Sequence, residues 1–263
     1  MQHLTKLALI VEYDGSRYHG FQIQPLLPTV QGVLEQAVLE FTGQRSRLGC
    51  ASRTDAGVHA EAQVVSLRTE SAYAPETWVR ALNHHLPEDV AVKAAYVLPD
   101  RYNVRACAIG RRYQYRILNR ASPSPLSRGR AFWVHQTLDV GAMNKAAVLL
   151  LGERDMAPFC SSQLSKGAST VRRLTNVEFH KDGEYVIFEV EGNAFLPQQV
   201  RRMAGALVQV GLGRQTIEDF QGLADGGRRS AAGPTLPGLG LTLVEVLYPS
   251  FPPSVELTQQ IAG

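Results

Sequence analysis

The segment Cys50-Ala51-Ser52-Arg53-Thr54-Asp55-Ala56-Gly57-Val58-His59-Ala60 gathers the residue types from which an active site can be made. Asp55 has Arg53 two positions before it and His59 four positions after. A carboxylate beside a guanidinium stays ionised and can serve as nucleophile or general base. Gly57 permits a tight turn that would aim Asp55 outward. Asp-Ala-Gly is also an ordinary turn sequence in which the aspartate caps local amides. Residue types alone therefore leave a catalytic and a structural reading open.

A second group is basic and aromatic. Of the 27 Lys and Arg residues, five are lysines (6, 93, 145, 166 and 181), which leaves 22 arginines against a net charge of only +3. Arginine's planar fork suits phosphate and stacks on bases; genomic base composition or thermal adaptation gives the same excess. Clustering favours the first reading. Arg101, Arg105, Arg111, Arg112, Arg116 and Arg120 fall within twenty residues, with Tyr102, Tyr113 and Tyr115 among them. Guanidinium for phosphate and rings for unstacked bases describe a nucleic-acid surface. Other groups carry less. Cys50, Cys107 and Cys160 are scattered and read as small buried hydrophobes. His84-His85 are adjacent on an expected helix and point apart, so no metal pair is expected. Gly238-Leu239-Gly240 lacks the strand-then-helix setting of a nucleotide fingerprint, and Asp14-Gly15 reads as a turn.

Alternating strand and helix patterns must position these groups. Strands are expected over 7–11, 63–67, 90–97, 111–118 and 241–248, with a hairpin of 171–180 and 184–190 about Lys181-Asp182-Gly183. Thr29 as cap and Gly43 as stop bound one helix. Others are expected over 75–85, 138–151, 196–212 and 217–223. The loop over 15–28 is long enough to be functional, and the stretch after Pro249 reads as a peripheral tail. A hairpin within an otherwise alternating chain implies an α/β protein of mixed-sheet, α+β type. Its 263 residues, 44% of them hydrophobic, suit two ordinary lobes: 1–104 with the Asp55 loop, and 105–263, related in inventory, with a catalytic cleft between them. No apolar run reaches the roughly 18 residues of a membrane span. Met1 to Lys6 lack the pattern of a leader, so a cytoplasmic protein without a membrane partner is expected.

The motifs also carry a resemblance. Arg53-Thr54-Asp55-Ala56-Gly57-Val58-His59-Ala60 resembles the catalytic motif of the tRNA pseudouridine synthase A family (TruA). Glu12-Tyr13-Asp14-Gly15, His19-Gly20-Phe21-Gln22 and Thr29-Val30-Gln31-Gly32 are similar to its N-terminal signature. Arg111-Arg112-Tyr113-Gln114-Tyr115 resembles its central motif. Asn193-Ala194-Phe195 with Val200 and Arg201 resembles its C-terminal motif, and Gly240-Leu241 with Leu243-Val244 its closing strand. The resemblance implies the pseudouridine synthase fold. It implies an isomerase that converts uridine to pseudouridine at positions 38, 39 and 40 of the tRNA anticodon stem-loop. It further implies a homodimer with no metal and no organic cofactor. It assigns Asp55 as the nucleophile. Tyr113 would stack on the flipped uracil, and Arg201 would be the guanidinium partner of the aspartate. Arg53 would support the flipped nucleotide, and Arg111 and Arg112 would hold backbone phosphate.

Four departures stand out. Phe21 replaces a usual tryptophan, keeping an aromatic wedge. Ser52 stands where glycine commonly precedes the Arg-Thr-Asp run. Tyr102-Asn103-Val104-Arg105 replaces Phe-Asp-Ala-Arg, and Pro197-Gln198-Gln199 fills a stretch often holding histidines. Two rival functions remain: an RNA-binding protein without catalysis, and a hydrolase with an aspartate nucleophile. A retaining glycosidase would need a second carboxylate, for which only Glu61 lies near.

Overall fold

A computed structural model describes residues 4–161 and 167–253. Residues 1–3, on which the leader reading partly rests, and 254–263 of the expected tail lie outside the described residues. In chain order the elements are β1 (Thr5–Tyr13), α1 (Val30–Thr42), β2 (Gly49–Cys50), β3 (His59–Thr69), α2 (Pro75–His85), β4 (Val90–Leu98), β5 (Gly110–Asn119), β6 (Phe132–Val134), α3 (Val140–Ala147), β7 (Gly152–Asp155), β8 (Val171–Asp182), β9 (Tyr185–Gly192), α4 (Gln199–Gly211), α5 (Ile217–Gly226) and β10 (Leu241–Leu247). The expected mixed α+β class is what these elements build.

Two compact units divide the described residues: 4–109 with 243–253, and 110–242. The expected boundary at 104/105 thus falls at 109/110. The closing strand, expected in the second lobe, places its residues from 243 onward in the first unit, where β10 lies beside β3.

In the first unit the strand order is β4-β1-β3-β10, with β2 also on β3. β1 is antiparallel to both neighbours. Its near-continuous apolar run follows from burial of both faces: Leu7, Leu9 and Val11 are buried on one and Ala8 on the other. The Thr29 hydroxyl accepts from the Gly32 amide at 3.3 Å and starts α1, and Gly43 (φ +72°) ends it, as the sequence predicts. α2 enters through Pro75, buries Trp78 and Leu82, and packs on β4 and α1. β3 begins at His59, earlier than the expected Gln63. Asp55 therefore sits on the turn just before a strand that is paired on both edges.

In the second unit β9 lies between β5 and β8, antiparallel to both. β6 runs parallel beside the end of β5, and β7 edges β8. The expected hairpin closes at Asp182↔Tyr185 with Gly183 at φ +57°. α4 starts at Gln199 rather than Leu196, because Gln198 takes a left-handed conformation (φ +63°). The buried Gln199 side chain accepts from the Leu196 amide at 2.8 Å and holds that break in place. β2, β6 and β7 were not expected. At two to four residues each they are too short to show an alternation.

Candidate active site

The Asp55 loop is held by backbone. The Asp55 carbonyl accepts from the Val58 amide at 3.2 Å, closing a turn whose third residue, Gly57, has φ +75°. Glycine is favoured there because a Cβ is strained at positive φ. Hydrogen bonds bracket the turn: the Phe21 amide donates to the Thr54 carbonyl at 3.1 Å, and the Gly57 amide to the Tyr18 carbonyl at 3.1 Å. A Cβ on Gly20 (φ +92°) would stand 2.8 Å from the Thr54 carbonyl oxygen. One on Gly15 would stand 2.6 Å from the Val58 carbonyl carbon and closer still to its oxygen. Asp14-Gly15 is therefore more than a turn: it is where two loops press backbone to backbone.

Side chains complete the clamp. Thr54 is buried, and its hydroxyl lies 2.7 Å from that of Tyr13. Gln63, fully buried, donates to the Ser52 carbonyl at 2.6 Å and accepts from its amide at 3.2 Å. Those bonds engage only the backbone of Ser52, which the family's glycine would offer equally. His59 is buried; its Nδ1 lies 3.1 Å from both the Gly15 amide and an Asp14 carboxylate oxygen. A neutral ring nitrogen accepts from the one or donates to the other, and either way the ring is fixed to the 14–15 turn. Tyr18 donates to Asp89 at 2.5 Å; burial first, then this bond, pushes its phenol well above the ordinary tyrosine range. Asp89 also accepts the Asp14 amide on its carbonyl at 2.9 Å. Tyr18→Phe should lower the unfolding free energy by about 1.5–3 kcal/mol, the value of a hydrogen bond to a charged group. A urea midpoint at constant m-value reads this out.

Within this clamp Asp55 is half-buried and Arg53 exposed, and no described residue pairs with the Arg53 guanidinium. Phe21, expected as a wedge, is instead core: it is 1% exposed and 6.3 Å from the Tyr13 ring. Its amide and carbonyl are committed to Thr54 and Gln31, which turns the ring inward.

In the second unit strand alternation sorts the arginine–tyrosine run. Arg111, Tyr113, Tyr115 and Ile117 face the buried side of β5. Arg112, Gln114 and Arg116 face the other side. Arg112 pairs with Glu191 at 3.0 Å, Gln114 bonds Glu189 at 3.2 Å, and Arg116 lies over the Tyr185 ring at 4.7 Å. Arg111 donates to the Asn193 carbonyl at 2.9 Å. Arg111 and Arg112, expected to share a phosphate role, thus sit on opposite faces, and both carry protein partners. The three tyrosines read as stacking surface are all buried, Tyr102 at 3%, Tyr113 at 5% and Tyr115 at 0% exposure. Tyr113 meets Phe195 edge to face at 5.2 Å, which joins the central and C-terminal motifs. Arg201, on α4, is half-buried. Its Nε donates to the Leu236 carbonyl at 2.7 Å, and its own carbonyl accepts the Leu236 amide at 3.3 Å. Gly205, one turn on, leaves room for the Pro234 carbonyl, and Tyr115 donates to Pro237 at 2.8 Å. Burial pushes the Tyr115 phenol up, and Arg201 pulls it partly back.

The sequence profile of the tRNA pseudouridine synthase family matches residues 9–105 and 146–249, more than half of the chain. The chain belongs to that family. Among its relatives, the tRNA pseudouridine synthase A of Caulobacter sp. (strain K31) is 41% identical over 246 residues, covering 93% of this chain and 98% of the relative. The enzyme of that name from Neisseria meningitidis serogroup C is 40% identical, over 92% and 91%. That of Rhodopseudomonas palustris is 40% identical, over 94% and 100%. Asp55 and Arg53 fall in the first matched stretch of the synthase profile and Arg201 in the second; Arg111, Arg112 and Tyr113 lie between the two.

Several positions that shape the synthase's Asp55 turn escaped the sequence: Gly15, Gly20, Gln63 and Asp89. All act through contacts distant in sequence. For the two glycines the local signal was the density of glycine and aromatic residues over 13–21; Gln63 and Asp89 carried none. His84 and His85 do not diverge as expected; their rings come within 5.1 Å, edge to face, and His85 turns to Glu40 at 3.3 Å. No helix among the described residues is long and apolar enough to cross a membrane.

Proposed function

We propose that the protein isomerises uridine to pseudouridine at positions 38, 39 and 40 of the tRNA anticodon stem-loop, with Asp55 as nucleophile. The observation that supports it is the Asp55 turn. The loop that carries this carboxylate lies within the family's matched residues and is held by backbone bonds on both sides, which fixes where Asp55 stands. In the reaction the N1–C1′ bond breaks, the base rotates, and C5 joins C1′. The proton lost from C5 is balanced by one gained at N1. Asp55 holds the detached fragment covalently while the base turns, which needs it ionised and shielded from water. Tyr113, Arg201 and Arg53 are the substrate-binding residues. Of these Arg53, exposed and without a described partner, suits a phosphate. Arg111 and Arg112 hold backbone phosphate and also brace the Asn193 turn and β9 through their bonds to the Asn193 carbonyl and Glu191. The enzyme works in the cytoplasm as a homodimer and without a metal or organic cofactor.

Incubating the pure protein with uridine-labelled tRNA in the presence of a chelator tests this reading. Pseudouridine is the expected product. A mobility shift without product would make the protein a binder, and free uracil would make it a hydrolase.

A further inference from the structure

The loop that presses on the Asp55 turn also carries an unusual tip. The loop is closed on itself: the His19 amide donates to the Pro28 carbonyl at 2.9 Å, and the Gln24 side chain to the His19 carbonyl at 2.6 Å. The Ile23 amide donates to the Gln31 side chain at 3.2 Å. At the tip Gln24 and Leu27 bridge across a turn centred on Pro25-Leu26. Proline suits the first central position, but the second needs positive φ and normally takes glycine or asparagine. Leu26 occupies it at φ +62° and is fully exposed, and Leu27 beside it is 41% exposed. The residue is doubly unfavourable for the fold, through backbone strain and through apolar surface in water. Glycine would satisfy the turn better, so the turn does not account for the leucine.

We propose that Leu26 is an aliphatic wedge that enters the RNA stack beside the target uridine and holds the gap while the base is out. This role rests on the proposed tRNA reaction. Two features favour RNA over a protein partner. The tip belongs to the same loop whose Gly20 and Phe21 hold Thr54, next to Asp55, so it travels with the catalytic turn. Leu26, the most exposed side chain of the tip, stands on a turn closed by its own bonds and fits between two base steps, as aliphatic wedges do in nucleic acids. By contrast a stable protein interface needs roughly 800 Å² from each partner, and the exposed run from Gln24 to Pro28 is only five residues long.

The test uses the full chain and an anticodon stem-loop carrying 2-aminopurine next to the target uridine. Fluorescence reports unstacking and needs no turnover, so it is recorded on an Asp55→Asn background. Pseudouridine formation is followed separately with intact Asp55. Leu26→Gly keeps the turn and relieves its strain, so folding is preserved, which a melting curve verifies. The expected result is loss of most of the fluorescence rise and a fall in kcat of about tenfold or more, with RNA affinity changed less than about threefold. Leu26→Met should recover most of both signals. Leu26→Gly with an unaltered fluorescence rise and kcat would overturn the wedge, as would no rise with unmutated Leu26. A change in sedimentation of Leu26→Gly would also overturn it, by making the tip a contact between subunits. Unstacking without any pseudouridine would refute the proposed isomerisation and leave the wedge standing.

Discussion

Asp55→Asn should lower pseudouridine formation by at least about a thousandfold while tRNA affinity stays within a factor of about three. The amide is nearly the size of the carboxylate but is not a nucleophile, so the covalent route closes without a change of shape. The structure sharpens the expectation. The Thr54 carbonyl, the Gly57 amide and the Asp55 carbonyl, which accepts from the Val58 amide, hold the turn through backbone atoms. Exchanging the Asp55 side chain leaves them in place. Release of tritium from tRNA labelled at uridine C5 measures turnover, and filter binding measures affinity. Turnover within tenfold of the unmutated protein would remove Asp55 from the nucleophile's place. Parallel loss of binding and of the melting transition would make it a structural residue instead.

How far the sequence could be read depends on whether the governing interactions are local. The cap at Thr29, the stop at Gly43, the proline entry to α2 and the Gly183 hairpin are set by neighbours within four residues, and all lie where the sequence puts them. The Asp55 motif was legible because its residue types are dense and its pattern resembles a known one. The arginine–tyrosine cluster was misread in its surroundings. A count of residues within a window ignores the strand's two-residue period, which sends Arg111, Tyr113 and Tyr115 inward and Arg112 and Arg116 outward. Glu189 and Glu191 of β9, which engage the outer row, come into register only through pairing with residues 75 and 79 positions away. Phe21 was misplaced for a similar reason: nothing local says that its amide goes to Thr54.

Gly15 is the position at which the smallest change should do most harm away from the substrate. Gly15 carries no positive φ, so nothing intrinsic to its backbone forbids alanine. The obstacle is Val58: a methyl group would stand 2.6 Å from its carbonyl carbon and 3.0 Å from its amide nitrogen. Ordinary contact begins near 3.4 Å, so the Val58 peptide would have to retreat by about 1 Å. Val58 is the residue whose amide closes the turn on the Asp55 carbonyl, so the retreat passes to Asp55 itself. Misplacing a reacting group by about 1 Å costs on the order of a hundredfold in rate, and crowding of this kind costs about 1–3 kcal/mol of stability. Gly15→Ala should therefore lower kcat about a hundredfold, with tRNA affinity nearly retained and melting displaced downward. Gly43→Ala supplies the comparison. It must accept φ +72°, yet its methyl would meet nothing within 4 Å, so it should lose about 1 kcal/mol of stability and keep its rate. If Gly15→Ala matches Gly43→Ala in both rate and melting, the two loops are not pressed together as described, and the clamp is not what aims Asp55.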